Sequence, residues 1–285
     1  MGSNLRFVKY HGLGNDFIVL ERPEPPTPEE ARRLCARGFS IGADGVMVAS
    51  PPRVPGAHVA MDLVNSDGSS PEMCGNGIRC FVKYVVDRLG RRDNPCLVET
   101  PAGIRACAWT AGPDGRVASV RVEMGPARFA PVEIPCAPAE GALDGELLTL
   151  SLDGEAFTGT PVNTGNPHFV VFGSAARDLA LRVGPRLEVH PAFPERANIE
   201  LAEVRSPEHV AVTVWERGCG LTWACGTGAT ATVAAAVRRG LVPAGGRVRV
   251  TLPGGDLVIT IAPDFSAAWM EGPATEVFVG ELPGS

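Results

Sequence analysis

The 285-residue sequence predicts an α+β protein of two homologous, pseudo-symmetric halves. Three observations point there. Short apolar strands outnumber the helices, and the two types do not alternate as a parallel α/β fold requires. The length corresponds to about two domains at roughly 150 residues each. Three motifs also recur at one separation of 151 residues.

The elements follow in order. Strand-like runs cover 6–10 and 17–21. Thr27-Pro28-Glu29-Glu30 opens a helix, with Thr27 as cap, Pro28 at the first turn and Glu30 completing a capping box. That helix extends to about residue 37, and Gly38 ends it. Strands follow at 45–49 and 59–64, then a helix at 75–89 closed by Gly90. Short strands fill 96–100, 104–109, 117–124, 147–152 and 170–172. A helix over 175–183 stops before Gly184-Pro185, since proline cannot continue it. Strands 199–204 and 209–215 precede an Ala- and Val-rich helix at 226–239. The strands 247–252, 257–261 and 276–279 complete the chain.

The repeat is specific. Cys74-Gly75-Asn76-Gly77 matches Cys225-Gly226-Thr227-Gly228. Gly14-Asn15-Asp16-Phe17 is echoed by Gly165-Asn166-Pro167-His168, and Asn65-Ser66-Asp67-Gly68 falls against Glu216-Arg217-Gly218-Cys219. One offset shared by three sites indicates two halves, each supplying an Asn loop and a Cys-Gly-x-Gly helix start.

Composition narrows the function. The net charge is −6, and no run of like charges forms a basic arm, so a nucleic-acid partner is not expected. Lys9 and Lys83 are the only lysines, and neither lies in a phosphate-cradling Gly-rich loop, which disfavours pyridoxal phosphate. No apolar stretch suits a membrane span or a signal peptide. The eight cysteines are dispersed, without CxxC pairs or zinc spacing, and read as free thiols of a cytoplasmic protein. No metal and no cofactor is expected.

A cysteine heading a helix meets free N–H groups and a partial positive charge, which favour thiolate and can also hold a carboxylate. Two such helix starts suit the inversion of a carbon next to a carboxylate. One thiolate removes the α-proton, the other thiol delivers a proton to the opposite face, and the helix ends stabilise the carbanion. Cys74 and Cys225 are therefore the candidate acid/base pair. Cys35, Cys80, Cys96, Cys107, Cys136 and Cys219 are read as structural, as are His11, His58, His190 and His209.

The chain resembles the diaminopimelate epimerases end to end. The resemblance rests on KYHGLGNDF at 9–17, NSDG at 65–68, MCGNGIRC at 73–80 and TPAG at 100–103. It continues through NTGNPH at 163–168, RANI at 196–199, WERG at 215–218, ACGTG at 224–228, LPGG at 252–255 and GPA at 272–274. It implies two α+β domains, 1–126 and 127–272, each a barrel-like antiparallel sheet around a central helix, with 273–285 returning to the first. It implies cofactor-independent interconversion of LL- and meso-2,6-diaminopimelate, a small-molecule substrate, and a homodimer as a candidate assembly. Carried over by position, Cys74 and Cys225 are the acid/base pair. The N–H groups of Gly75, Asn76, Gly226 and Thr227 hold the reacting carboxylate. Asn15, Asn65, Asn166 and Asn198 form a polar wall. Arg217 meets the distal carboxylate, Glu216 the amino group, and His168 helps set thiol protonation.

Four positions depart from the family pattern: Gly45, Leu221, Trp223 and Phe169, all bearing on substrate choice. Two alternatives remain, a racemase of another amino acid on the same fold and a thiol-redox or amino-acid-binding protein.

Overall fold

The structure, a computed structural model, describes residues 4–71, 73–139 and 143–283. The chain divides into two compact units, Met1–Val122 with Glu271–Ser285, and Glu123–Met270.

In the first unit the strands are β1 (Leu5–Gly12), β2 (Asn15–Leu20), β3 (Gly45–Ser50), β4 (Val59–Asn65), β5 (Cys96–Thr100), β6 (Gly103–Ala111) and β7 (Val117–Gly125). Consecutive strands pair in that order, antiparallel except for the parallel pairs β2–β3 and β4–β5. Helices α1 (Pro28–Cys35) and α2 (Gly75–Asp87) provide those two parallel crossovers. α1 stops short of residue 37 because Ala36 turns extended and its carbonyl accepts from Phe39 and Ser40 in a tight turn. α2 touches β1, β2, β3 and β6, and every residue from Gly75 to Val86 is buried. It is the central helix. Its two cations are accommodated individually: Arg79 donates to the carbonyls of Gly75 and Pro273, and Lys83 to Asp87 and the Val117 carbonyl.

The second unit repeats this plan. Its strands are β8 (Leu143–Asp144), β9 (Leu147–Leu152), β10 (Glu155–Asn163), β11 (Pro167–Phe172), β12 (Asn198–Ser206), β13 (His209–Glu216), β14 (Gly220–Leu221), β15 (Val248–Leu252), β16 (Gly255–Ile261) and β17 (Ala268–Gly272). β10–β11 is antiparallel, β11–β12 parallel, β12–β13 antiparallel, β13–β15 parallel and β15–β16 antiparallel, the same succession as β1 to β6. Helices α3 (Arg177–Glu188) and α4 (Gly226–Arg238) occupy the crossovers of α1 and α2. α4 touches six strands, β10 to β13, β15 and β16. Thr230 and Thr232 are buried in it and satisfy their hydroxyls on the carbonyls one turn back.

Two expectations need correction. α3 does not stop at Gly184-Pro185 but runs through both. Gly184 is there because the helix lies against Trp215: a Cβ would come 2.5 Å from its Cγ. Packing against the indole outweighs the bond lost at Pro185. β10 was not among the expected strands. Gly159 permits a close approach, a Cβ there lying 2.6 Å from the Val170 carbonyl. Pro161 falls beyond the β9 pairing, which ends at Gly159.

The last strand, β18 (Thr275–Leu282), pairs antiparallel with β1 in the first unit. Glu276 anchors it, accepting from Tyr10 Oη at 3.0 Å, Arg88 Nε at 3.1 Å and Arg116 Nη2 at 2.6 Å. The Arg88 bond, then those from Tyr10 and Arg116, hold its carboxyl at about 2.

Two outcomes are expected. Gly184→Ala lowers stability by about 1–3 kcal/mol in urea unfolding, the usual cost of overpacking; an unchanged midpoint contradicts the Trp215 contact. For Glu276 the folded carboxyl is depressed, so its contribution is present above the unfolded value near 4.3 and fades as pH falls toward about 2. Glu276→Gln is then less stable than wild type at pH 7, and the two converge in acid, as thermal unfolding across pH will register.

Candidate active site

Both central helices begin the same way. Cys74 and Cys225 are the N-caps of α2 and α4, in extended backbone. Their sulfurs accept the third-residue amides, Gly77 N–H at 3.3 Å and Gly228 N–H at 3.4 Å. A Cβ at Gly77 would lie 3.1 Å from the Cys74 sulfur, and one at Gly228 2.9 Å from Glu200 Oε1. The second glycine of each motif thus makes room for the sulfur and its neighbours. The N–H groups of Gly75 and Asn76, and of Gly226 and Thr227, belong to first turns, where no intrahelical acceptor exists.

In the first unit, Asn15 and Asn76 come together. Asn76 Nδ2 donates to Asn15 Oδ1 at 3.2 Å, and Asn15 Nδ2 donates to Asp44 at 2.6 Å. Asp44, bonded in turn by Arg37, fixes which way the Asn15 amide faces. Asn65 closes the turn after β4 and donates to Ser69 Oγ at 3.0 Å. Gly45 has no room for a side chain: a Cβ would lie 3.0 Å from Leu63 and 3.1 Å from the Val64 carbonyl.

The second unit holds the ionisable groups. His168 and Glu200 are fully buried on adjacent strands, Nδ1 and Oε1 2.7 Å apart, and His168 Nε2 lies 2.7 Å from Asn166 Oδ1. Asn198 ties two loops together, donating to the Pro167 carbonyl at 2.9 Å and accepting from Arg217 N–H at 2.9 Å. Arg217 also donates to the Glu195 carbonyl. Thr222 donates to Glu216 at 2.5 Å, and Thr164 to the Thr227 carbonyl at 3.2 Å. Glu188 braces the same loop through Trp215 Nε1 and Gly218 N–H. Glu200, Glu188, Thr222 and, in the first unit, Asp44 were not singled out by sequence.

The thiol expectation is corrected for Cys225. Burial pushes it well above the ordinary thiol range, Glu216 adds to this, and the Thr227 bond opposes it. Cys35, Cys96 and Cys136 are raised to about 11 and Cys80 to about 12, all by burial, as suits structural thiols. Phe169 faces the core against Phe193 and does not reach the site, while Trp223 is exposed.

The family model for diaminopimelate epimerase matches residues 7–130 and 160–277. The chain belongs to the diaminopimelate epimerase family. A diaminopimelate epimerase of Desulfitobacterium hafniense is 44% identical over 289 residues, spanning 98% of each chain. One from Methanothermobacter thermautotrophicus is 44% identical over 285 residues, 97% of this chain and 98% of that one. One from a Synechococcus strain is 45% identical over 98% and 99%. Among solved structures, a hydroxyproline epimerase from Agrobacterium vitis shares the fold at a TM-score of 0.71 and 16% identity, covering 99% of this chain and 94% of that one. A probable proline racemase from Agrobacterium radiobacter does so at 0.69 and 16%, covering 98% and 93%.

Asn198→Ala strands a backbone carbonyl and a backbone N–H that the side chain now joins. Unfolding in urea should show a loss of about 1–3 kcal/mol. A loss below the error of the measurement contradicts the tie between the 167 and 217 loops.

Proposed function

We propose that the protein is a cofactor-independent epimerase that interconverts LL- and meso-2,6-diaminopimelate by proton transfer between two cysteines. The observation that carries this is the paired motif: two repeats, each with a cysteine capping a buried helix, in a chain of the diaminopimelate epimerase family.

In this reading the α-carboxylate binds the first-turn amides of Gly75, Asn76, Gly226 and Thr227, where the helix ends favour negative charge. One sulfur, as thiolate, takes the α-proton and becomes a thiol. The electron pair delocalises into the carboxylate that the amides hold. The other thiol gives its proton to the opposite face and becomes the thiolate. The raised proton affinity of Cys225 suits it to enter one direction of turnover as the donor. His168 helps set thiol protonation. Glu216 takes the amino group of the reacting centre, and Arg217, with its forked guanidinium, the distal carboxylate. Asn15, Asn65, Asn166 and Asn198 complete the polar lining. Exclusion of water would keep the thiolate from being quenched.

A cytoplasmic setting is supported by eight cysteines, none of them in a disulfide. A homodimer is supported by the exposed run Val277, Phe278 and Val279 on β18.

The test is incubation with LL-diaminopimelate in D2O. Deuterium should enter the α-position as the meso isomer forms. Cys74→Ser and Cys225→Ser should each lower turnover by about 10²–10⁴-fold, the range of a lost acid/base group, with unfolding temperature retained. Exchange confined to a different amino acid, or full turnover in either variant, overturns the reading.

A further inference from the structure

The two units differ at matching positions. Phe17 of β2 pairs with Gly45 of β3, and its counterpart His168 of β11 pairs with Asn198 of β12. Two residues on, the fully buried Met47 of β3 corresponds to the fully buried Glu200 of β12. The first unit thus has an apolar pair where the second has an ionisable one. The fold itself does not call for charge there. A buried ion pair is no better for stability than apolar side chains of similar size.

The second unit spends that difference beside its capping cysteine. Glu200 Oε1 lies 2.7 Å from His168 Nδ1 and so close to Gly228, in the first turn of α4, that a Cβ there would sit 2.9 Å away. Glu200 Oε2 is buried with no hydrogen-bond partner among the described residues. The groups bearing on this carboxyl are His168 on β11, Glu216 at the end of β13 and Cys225 at the head of α4. Burial pushes it up, the imidazole and the Phe169 amide oppose this, and Glu216 reinforces it. Proton counting limits the states. Asn166 Oδ1 accepts from His168 Nε2, so Nε2 carries a hydrogen. The 2.7 Å contact on the other side then needs one more proton, on nitrogen or oxygen, and the pair is neutral either way.

We propose that Glu200 is a positioning residue of this site: acting through His168, it holds one proton between Nδ1 and Oε1, which fixes the imidazole against Asn166 beside the head of α4. The inference rests on the epimerase reading above. Losing that proton would leave an anion in a water-poor interior next to Glu216, and forming the Cys225 thiolate would become harder.

Glu200→Gln, Glu200→Met and Glu200→Asp test it, with ¹⁵N-imidazole spectra of the five histidines beside the pH dependence of turnover. In the wild type, the His168 Nδ1 signal should be that of a nitrogen sharing a hydrogen with the Glu200 carboxyl. In Glu200→Gln it should move toward that of a bare acceptor nitrogen. At pH 8, kcat should fall about tenfold or more with KM within about threefold. Glu200→Met, which copies the first unit, should fold and share the loss, and Glu200→Asp should restore part of it. Wild-type kcat and an unmoved His168 signal in both Gln and Met variants overturn the proposal. So does a uniform loss at every pH that tracks a fall in unfolding temperature, since packing alone would produce it. A wild-type protein inert toward LL-diaminopimelate sinks the epimerase reading separately, and the Nδ1 signal still decides this one.

Discussion

The arrangement on which the site depends is a sulfur capping the start of a buried helix. Helices α2 and α4 are enclosed along nearly their whole length. A helix end inside a protein must find acceptors for its first amides. Cys74 and Cys225 each satisfy one amide, at the third position, and Ile78 and Ala229 return to the cysteine carbonyls. The amides before these point out of the helix end without any acceptor of the helix's own. Serine or aspartate is the ordinary choice for a cap. A thiol fills the same place and can also take up and release a proton near neutral pH. The glycine that follows is required by volume, since Cys74 and Phe17 press on Gly77, and Cys225 and Glu200 on Gly228.

Much of this was legible in the sequence, because caps and glycines at helix starts are local signals. The duplicated Cys-Gly-x-Gly needed no tertiary information to be found, and the shared offset gave the two-unit plan. What was illegible depends on contacts between distant segments. Gly184-Pro185 looks like a stop until Trp215 is seen lying against the glycine. The strand β10 was missed; it changes partners between Gly159 and Pro161. Glu200 sits in Ile199-Glu200-Leu201, where alternation assigns a lone glutamate to solvent. It is buried because β12 has neighbours on both edges and helices against it. Thr222 and Asp44 gave no signal for a similar reason, being partners of site residues rather than members of a motif.

The thiol of Cys225 shows which effect prevails when two compete. A helix N-terminus favours the anion by an amount that falls off within one turn. Burial opposes the anion, and Glu216 opposes it further. For Cys225 the direction is upward, set first by burial. A thiol that stays protonated is a poor base and a ready acid. That is a workable resting state for one partner of a two-base reaction, provided the other partner is the one that first accepts. Sequence reasoning from the helix end alone does not include the burial and the Glu216 carboxylate that bear on Cys225.

The repeat also separates what a two-sided proton transfer needs twice from what it needs once. The duplicated features are the capping cysteine, the glycine that accommodates it, and an asparagine loop, Asn15 in one half and Asn166 in the other. On the proposed reading, these serve a carbon that must be approached from both faces. The features present once are His168 against Phe17, Glu200 against Met47, Glu216 against Asn65 and Arg217 against Ser66. These suit the parts of the substrate that have no mirror image: one amino group, and one distal charged end. A duplicated fold can supply two matched sulfurs, but only divergence of one copy can supply a unique recognition set. On the proposed reading, that division of labour accounts for the ionisable groups of the second unit, where Glu216 and Glu200 bear on Cys225 and His168 meets Glu200.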